Sequence, residues 1–255
     1  MGLEVATRLS KLSTWDIHIL DLPSSLGSSV ASSLGATFHP TDVTDETGLN
    51  TIFKIVFIRN NRMDFVFANA GIAEHASFFE EQDTNGDVKL PVKGLHALVD
   101  VNLKSVITTS YLALQYMRRS PGKDKSLVMT ASCGVNAHAG IRVNCICPGT
   151  VKTNLLTSDE WANFPEQYFT PVDKIGEVVL MLIDGKDDGN GEVGKEVEEA
   201  SVEELLKKGV YGKAVEVSGR RHYYREMVCY ADEAMGSVMG ATNIEVLENA
   251  VERTL

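Results

Sequence analysis

The sequence predicts an α/β chain: a doubly wound, mainly parallel sheet with helices on both faces, forming a single domain over residues 1–255. Three observations predict it. Short apolar runs alternate with helical patterns along the chain. Those runs are apolar throughout rather than at every second residue, as in strands covered on both faces. The chain has 255 residues, 44% of them hydrophobic, which is enough for one large core.

The elements follow in order. "WDIHILDL" (15–22), rich in Ile and Leu and closed by Pro23 and serines, is the first buried strand. "SSLGSSVASSL" (24–34) is a weak helix and "ATFHPTDV" (36–43) a second strand. "DETGLNTIFKIVFIRN" (45–60) opens with the acidic residues that suit a helix N-terminus. "MDFVFANAG" (63–71) is a third strand running into a glycine turn. Residues 92–120 form a long amphipathic helix ending in arginines. "SLVMTAS" (126–132) and "IRVNCICPG" (141–149) are two more strands. A helix over 172–184, a strand over 213–219 and a helical tail over 227–255 complete the chain.

Composition narrows the function. A net charge of -11, with no Lys/Arg-rich run, argues against a nucleic-acid partner. No apolar run reaches membrane-spanning length, and "MGLEVATRLSKL" has no signal-like apolar core, so the expectation is a cytoplasmic protein without a membrane partner. Ala6 stands where a myristoylation signal wants Ser or Thr. Cys133, Cys145, Cys147 and Cys229 lack CxxC spacing and read as reduced thiols in or near the core. The segment 184–208 is acidic and glycine-rich. It has a superficial likeness to a calcium loop, but Lys186 and Lys195 stand where oxygen ligands are needed. "DTNGD" (83–87) places its glycine too early. Both read as solvated surface insertions, and no metal is expected.

Four stretches carry the chemistry. Gly2 and Asp21 have the spacing of the last glycine of a dinucleotide phosphate loop and the acidic residue that binds ribose hydroxyls. "ANAG" (68–71) follows a strand, "VNLKS" (101–105) lies in the long helix, and "TAS" precedes "RVNCICPGTVKT" (142–153), a strand with a Pro-Gly turn. Together these resemble a short-chain dehydrogenase/reductase from Gly2 to about Gly219. The tail from Gly212 is similar to the fungal branch that includes 15-hydroxyprostaglandin and 5'-hydroxyaverantin dehydrogenases.

The resemblance implies a Rossmann-like fold, an NAD cofactor (NADP being the alternative) and interconversion of a secondary alcohol and a ketone. Met- and Val-rich surroundings and the fungal-type tail point to an apolar, polyketide-like small molecule of secondary metabolism, handled by a homo-oligomer. It implies roles residue by residue. Asp21 takes the adenosine ribose and disfavours a 2'-phosphate. Asp42 and Val43 lie beside the adenine. Asn69, Ala70 and Gly71 pass under the cofactor, and Pro148, Gly149, Val151 and Thr153 hold the nicotinamide end. Asn102 organises a proton-relay water and Ser132 hydrogen-bonds the substrate carbonyl. Lys104 is a weaker cofactor candidate, better read as an exposed helix lysine.

Two parts of the family pattern are missing. No tyrosine has a lysine four residues on, and "HAGIRVN" follows "TASCGVNA" directly, so the Tyr-x-x-x-Lys segment and most of its helix are absent. His138, near the gap, reads as a helix-end histidine in water. The family's first strand and first glycines should precede "MGLEVA". Without a central strand, "HILDL" and "DFVFAN" face each other across an empty slot, forgoing roughly ten hydrogen bonds of about 0.5–1.5 kcal/mol each. Two explanations stand: an incomplete reading of the gene, or a diverged, non-redox descendant such as a binding protein, scaffold or cyclase/isomerase.

Overall fold

The structure, a computed structural model, describes residues 1–73, 94–130, 141–162, 164–193, 209–225 and 232–241. The first helix, α1 (Gly2–Lys11), leads to strand β1 (His18–Asp21), helix α2 (Gly27–Leu34) and strand β2 (Thr37–Pro40). Helix α3 (Glu46–Asn60) and strand β3 (Phe65–Ala68) follow. After them come helix α4 (Leu95–Val99), a π-helical turn (Asp100–Lys104) and helix α5 (Ser105–Arg119). Strands β4 (Lys125–Thr130) and β5 (Ile141–Pro148) form the centre, followed by the short helix α6 (Ser158–Trp161) and helix α7 (Val172–Asp184). Strands β6 (Gly191–Val193), β7 (Ala214–Ser218) and β8 (Arg221–Arg225), with helix α8 (Glu233–Ala241), end the described chain.

The sheet comes in two pieces. β1 pairs only β2, in parallel, while the other six strands run in the order β3-β4-β5-β7-β8-β6. β3, β4, β5 and β7 are parallel, and β8 turns back antiparallel on β7. This is the empty slot expected between "HILDL" and "DFVFAN". The facing edges of β1 and β3 have not closed on each other. Among the described residues no backbone hydrogen bond joins them.

Local sequence explains most boundaries. The Asp45 carboxylate accepts from the Gly48 N–H at 2.9 Å and starts α3. Asn61 (φ 50°) and Gly185 (φ 70°) end α3 and α7 in the left-handed conformation that stops a helix. Thr157 and Glu160 form a reciprocal capping box on α6.

The six-stranded sheet is covered on both faces. Val128, Ile146, Val215 and Val217 pack under α1 and α7, against Val5, Leu9, Ile175, Val179 and Leu182. Leu127, Met129, Val143 and Cys145 point the other way, against Phe53, Ala113 and Met117 of α3 and α5. The alternation within β4 and β5 is the two-residue period of a strand. α1 is tied to α7 by Arg8, which donates to the carbonyl of Asp173 at 3.0 Å and pairs with Glu4 at 2.7 Å.

The β1–β2 pair carries its own polar cluster. His18 Nδ1 and His39 Nε2 are 2.9 Å apart, and His18 Nε2 lies 3.2 Å from Asp16. Burial, then His18 and Arg59, hold the His39 imidazole below its ordinary 6.5. A lowered histidine pKa means that the unfolded chain takes up a proton which the folded chain refuses. Stability is therefore full above about pH 6.5 and falls as the pH drops through the window between that value and the lower folded one. Urea melts between about pH 7.5 and 5.5 should show that decline, and His39→Gln should flatten it.

The helix expected over 92–120 begins at Leu95 and contains the π turn. Within the acidic stretch expected as a solvated surface insertion, residues 184–192 are mostly exposed, but β6 pairs β8 and the Asp187 side chain is only 12% exposed. β8, "RHYYR", lies in a stretch not assigned as a strand from the sequence. Residues 83–87 and 194–208, and residues 242–255 of the tail, lie outside the described residues.

Candidate active site

A cavity of about 1350 Å³ opens between the two sheet pieces. Its walls are the facing edges of β1 and β3, the start of α1, and α3 and α5. Gly2, Asp21, Val43, Asn69 and Ala70, all singled out in the sequence, line it. Asn154, next to Thr153, also lines it. The cavity runs the length of the slot, from Trp15, Met63 and Lys123 at the amino ends of the strands to Asp21, Asn69 and Ala70 at their carboxyl ends, the end at which ligand sites lie in open α/β sheets.

Asn69 is the hinge of this arrangement. Its Oδ1 accepts from the Thr130 hydroxyl at 3.1 Å, joining the ends of β3 and β4. Its Nδ2 faces α1: a Cβ placed on Gly2 would stand 3.3 Å from that atom. Glycine lets the helix start close to the strand end. The N–H groups of the first turn then face the cavity with the positive end of the helix dipole. Asp21 ends β1 with an exposed carboxylate, whose Oδ1 accepts from the Leu22 N–H at 2.7 Å.

Asp42 stands just outside the cavity. Its Oδ1 accepts from the Thr44 N–H at 2.9 Å and from the Thr44 hydroxyl at 2.8 Å, which shapes the turn into α3. Val43 lines both this cavity and a smaller one of about 300 Å³ beside Asp100 and Lys104. Lys104 donates to Asp100 at 2.6 Å, and that hydrogen bond, then the charge of Asp100, raises its pKa. It serves the helix surface rather than the groove.

Asn102 makes two bonds to one residue. Its Oδ1 accepts from the Ile72 N–H and its Nδ2 donates to the Ile72 carbonyl, both at 2.9 Å. Gly71 comes within reach, since a Cβ there would stand 3.4 Å from Asn102 Oδ1. The side chain thus holds the loop after β3 against the long helix, at a π turn of the kind that marks functional sites.

At the end of β5, Gly149 is packed tightly. A Cβ there would meet Thr170 Oγ1 at 3.0 Å and the Val217 carbonyl at 3.1 Å. Its N–H donates to Val217 at 2.8 Å, directly after Pro148. Val151 is buried. The Thr153 carbonyl accepts from Trp161 at 3.0 Å and its hydroxyl from the Leu155 N–H at 3.2 Å. This loop is rigidly placed, but of these four residues none lines the large cavity itself.

Ser132, Cys133 and His138 lie outside the described residues. Their surroundings still speak. β4 and β5 are parallel neighbours, and only ten residues, 131–140, connect them. Their sequence, ASCGVNAHAG, holds no tyrosine and no lysine. Tyr224 offers no substitute base: burial first, then Asp187, push its phenol far above the ordinary 10.0. A feature the sequence did not single out is Cys147. A hydrogen bond with Cys145 draws its thiol down to about 7, against burial and Glu216.

The chain is similar to known proteins in sequence and fold. A family model described as enoyl-(acyl carrier protein) reductase matches residues 1–139. The chain is 37% identical to the short-chain dehydrogenase/reductase prx7 of Penicillium rubens, covering 98% of this chain and 99% of that one. That alignment spans 283 positions against the 255 residues of this chain, so at least 28 positions of the relative have no counterpart here. Short-chain dehydrogenase reductase 5 of Arabidopsis thaliana is 28% identical, over 64% of this chain and 72% of its own. Among solved structures, a short-chain dehydrogenase from Burkholderia cenocepacia in complex with NADP superposes with a TM-score of 0.57 at 19% identity, covering 71% of this chain and 85% of that one.

Proposed function

Because the chain belongs to the short-chain dehydrogenase/reductase family, we propose that it is a nicotinamide-dependent oxidoreductase using NAD. Its reaction interconverts a secondary alcohol and a ketone. The observation that carries this reading is the gathering of Gly2, Asp21, Asn69 and Ala70 around one cavity at the strand ends. The residues fit the cofactor. The N–H groups opening α1 would take the diphosphate and Asp21 the adenosine ribose hydroxyls. Pro148 to Thr153 would border the nicotinamide. The cofactor, when bound, accepts or donates the hydride.

The chain's own residues would do the remaining work. Ser132 would donate to the substrate oxygen. Asn102, by clamping Ile72, fixes the loop that borders the groove. A proton must leave the alcohol as the hydride departs, and none of the described residues is placed to take it, so turnover is slow. The apolar walls of the cavity support an apolar, polyketide-like substrate, in keeping with a role in secondary metabolism. Val99, Leu103, Ile107 and Tyr111 form an exposed apolar stripe along α4 and α5, which supports a homo-oligomer.

Asp21 gives the test. Its carboxylate repels a 2'-phosphate, so NADH should bind more tightly than NADPH. Asp21→Ala should weaken NADH at least about tenfold, as expected for lost charge-assisted hydrogen bonds of about 1.5–3 kcal/mol, and leave NADPH unchanged or improved. Nicotinamide fluorescence titrations read both constants. Tighter NADPH binding by the unaltered chain, or no effect of the substitution, overturns the assignment.

A further inference from the structure

We propose that Asp187, Asp188 and His222 form a binding site for one divalent transition-metal ion of the zinc class, separate from the groove. One nitrogen and two carboxylate oxygens lie within 4.8 Å of one another. His222 is 0% exposed. Its Nε2 faces Asp187 Oδ2 at 3.4 Å and Asp188 Oδ1 at 3.9 Å. A charge-assisted N–H···O bond would be about 2.7–2.9 Å long, so both separations are long for one. The 3.4 Å separation suits a bridging ion better, since two ligand atoms about 2.0–2.1 Å from a tetrahedral zinc lie about 3.3–3.4 Å apart, and Asp188 would draw in on binding.

The imidazole is otherwise poorly served. Nδ1 has no hydrogen-bond partner among the described residues. Buried polar groups left without partners cost about 1–3 kcal/mol each and call for a physical reason. A cation on Nε2 would leave Nδ1 as it is but replace the long contact of Nε2 with Asp187 by a strong bond.

The fold aims the ligands from two segments distant in sequence. Gly189, at φ 80°, turns the chain after α7, and its N–H donates to Asp187 Oδ1 at 2.7 Å. The Tyr224 hydroxyl donates to the other oxygen of Asp187. β6 sets Gly191 opposite His222. A Cβ on Gly191 would stand 2.8 Å from Asp187 Oδ2 and 3.0 Å from His222 Nε2, so the glycine keeps the space before the ligands open. Lys174 approaches Asp188 through Oδ2 at 3.9 Å and is shared with Glu177 at 3.4 Å. That leaves Oδ1 for the ion and the cluster net negative.

One imidazole with two carboxylates suits zinc, manganese or cobalt better than the all-oxygen preference of calcium. This is not the calcium-loop pattern, because its third ligand comes from β8. An ion here would fasten the turn after α7 to the edge of the sheet.

The test uses the full chain, stripped with EDTA and titrated with zinc against a chromophoric chelator, with cobalt as an optical probe. One equivalent should bind, cobalt should develop the visible bands of a four-coordinate site, and zinc should raise the melting temperature. Asp188→Ala, at a position 38% exposed in its side chain, should keep the fold and weaken zinc at least tenfold. His222→Gln should do the same, and Cys147→Ser should leave binding intact. Absence of stoichiometric binding, binding that survives both ligand substitutions, or binding lost with Cys147 overturns the proposal.

Discussion

Inserting a loop and helix that carry Tyr-x-x-x-Lys between Gly134 and Gly140 should raise turnover of NAD and a secondary alcohol by about 10²–10⁴-fold, the usual contribution of a placed general acid/base. A phenol titrates near 10 and is a poor base at neutral pH unless a cation lies close. The family's lysine, one helical turn from its tyrosine, is such a cation. In this chain the parallel neighbours β4 and β5 are joined by residues 131–140, which hold no tyrosine and no lysine. The Penicillium rubens relative has at least 28 more aligned positions, its 283 against the 255 residues here. Nicotinamide absorbance follows the rate, and the same insert with Tyr→Phe is the control. An insert that folds, binds NADH and is no faster than the parent would place the proton chemistry elsewhere. The His138 imidazole and the Cys147 thiol, drawn down to about 7, would be the next residues to replace.

Filling the slot between β1 and β3 should have the largest effect on stability. β1 and β3 are both parallel strands of their sheets, and the cavity between them is walled by their apolar residues. α1 begins beside Asn69, at the carboxyl end of β3. A strand fused ahead of α1 through a short glycine turn would therefore run parallel to both neighbours and end at the groove. Hydrogen bonds on two edges, about 1 kcal/mol each, and several buried aliphatic side chains at about 1.5–3 kcal/mol each outweigh an ordering cost of about 1–2 kcal/mol per residue. The expected gain is about 4 kcal/mol, read from urea melts. Amides of β1 and β3 should also exchange more slowly. An unchanged melt, or protection confined to β4 and β5, would mean that the two edges are not a strand site.

Much of this was legible because the relevant signals are local. β4 and β5 read as strands since a parallel strand buried on both faces is apolar at every position. The Asp21 position follows from its spacing after Gly2 at the end of an apolar strand, while the Asn69 position and the empty slot followed from the family resemblance. What was not legible depends on pairing across the sequence. β6 and β8 are short and polar, with Glu192, Arg221 and Arg225 at their surface, and become strands only by pairing at the sheet edge. Asp187 and His222 look like unrelated polar residues until that pairing brings them together. The bonds of the Asn102 amide to Ile72 are a contact that no spacing along one helix reveals.

We propose a cofactor groove intact enough to bind but without a fast route for the proton. One experiment addresses both halves: titrate this chain with NADH while following nicotinamide fluorescence, then add a ketone panel and follow absorbance in the same sample. Saturable binding that Asp21→Ala weakens, with turnover at the limit of detection, is the predicted result. Rapid turnover, or no nucleotide binding by a folded chain, would contradict it.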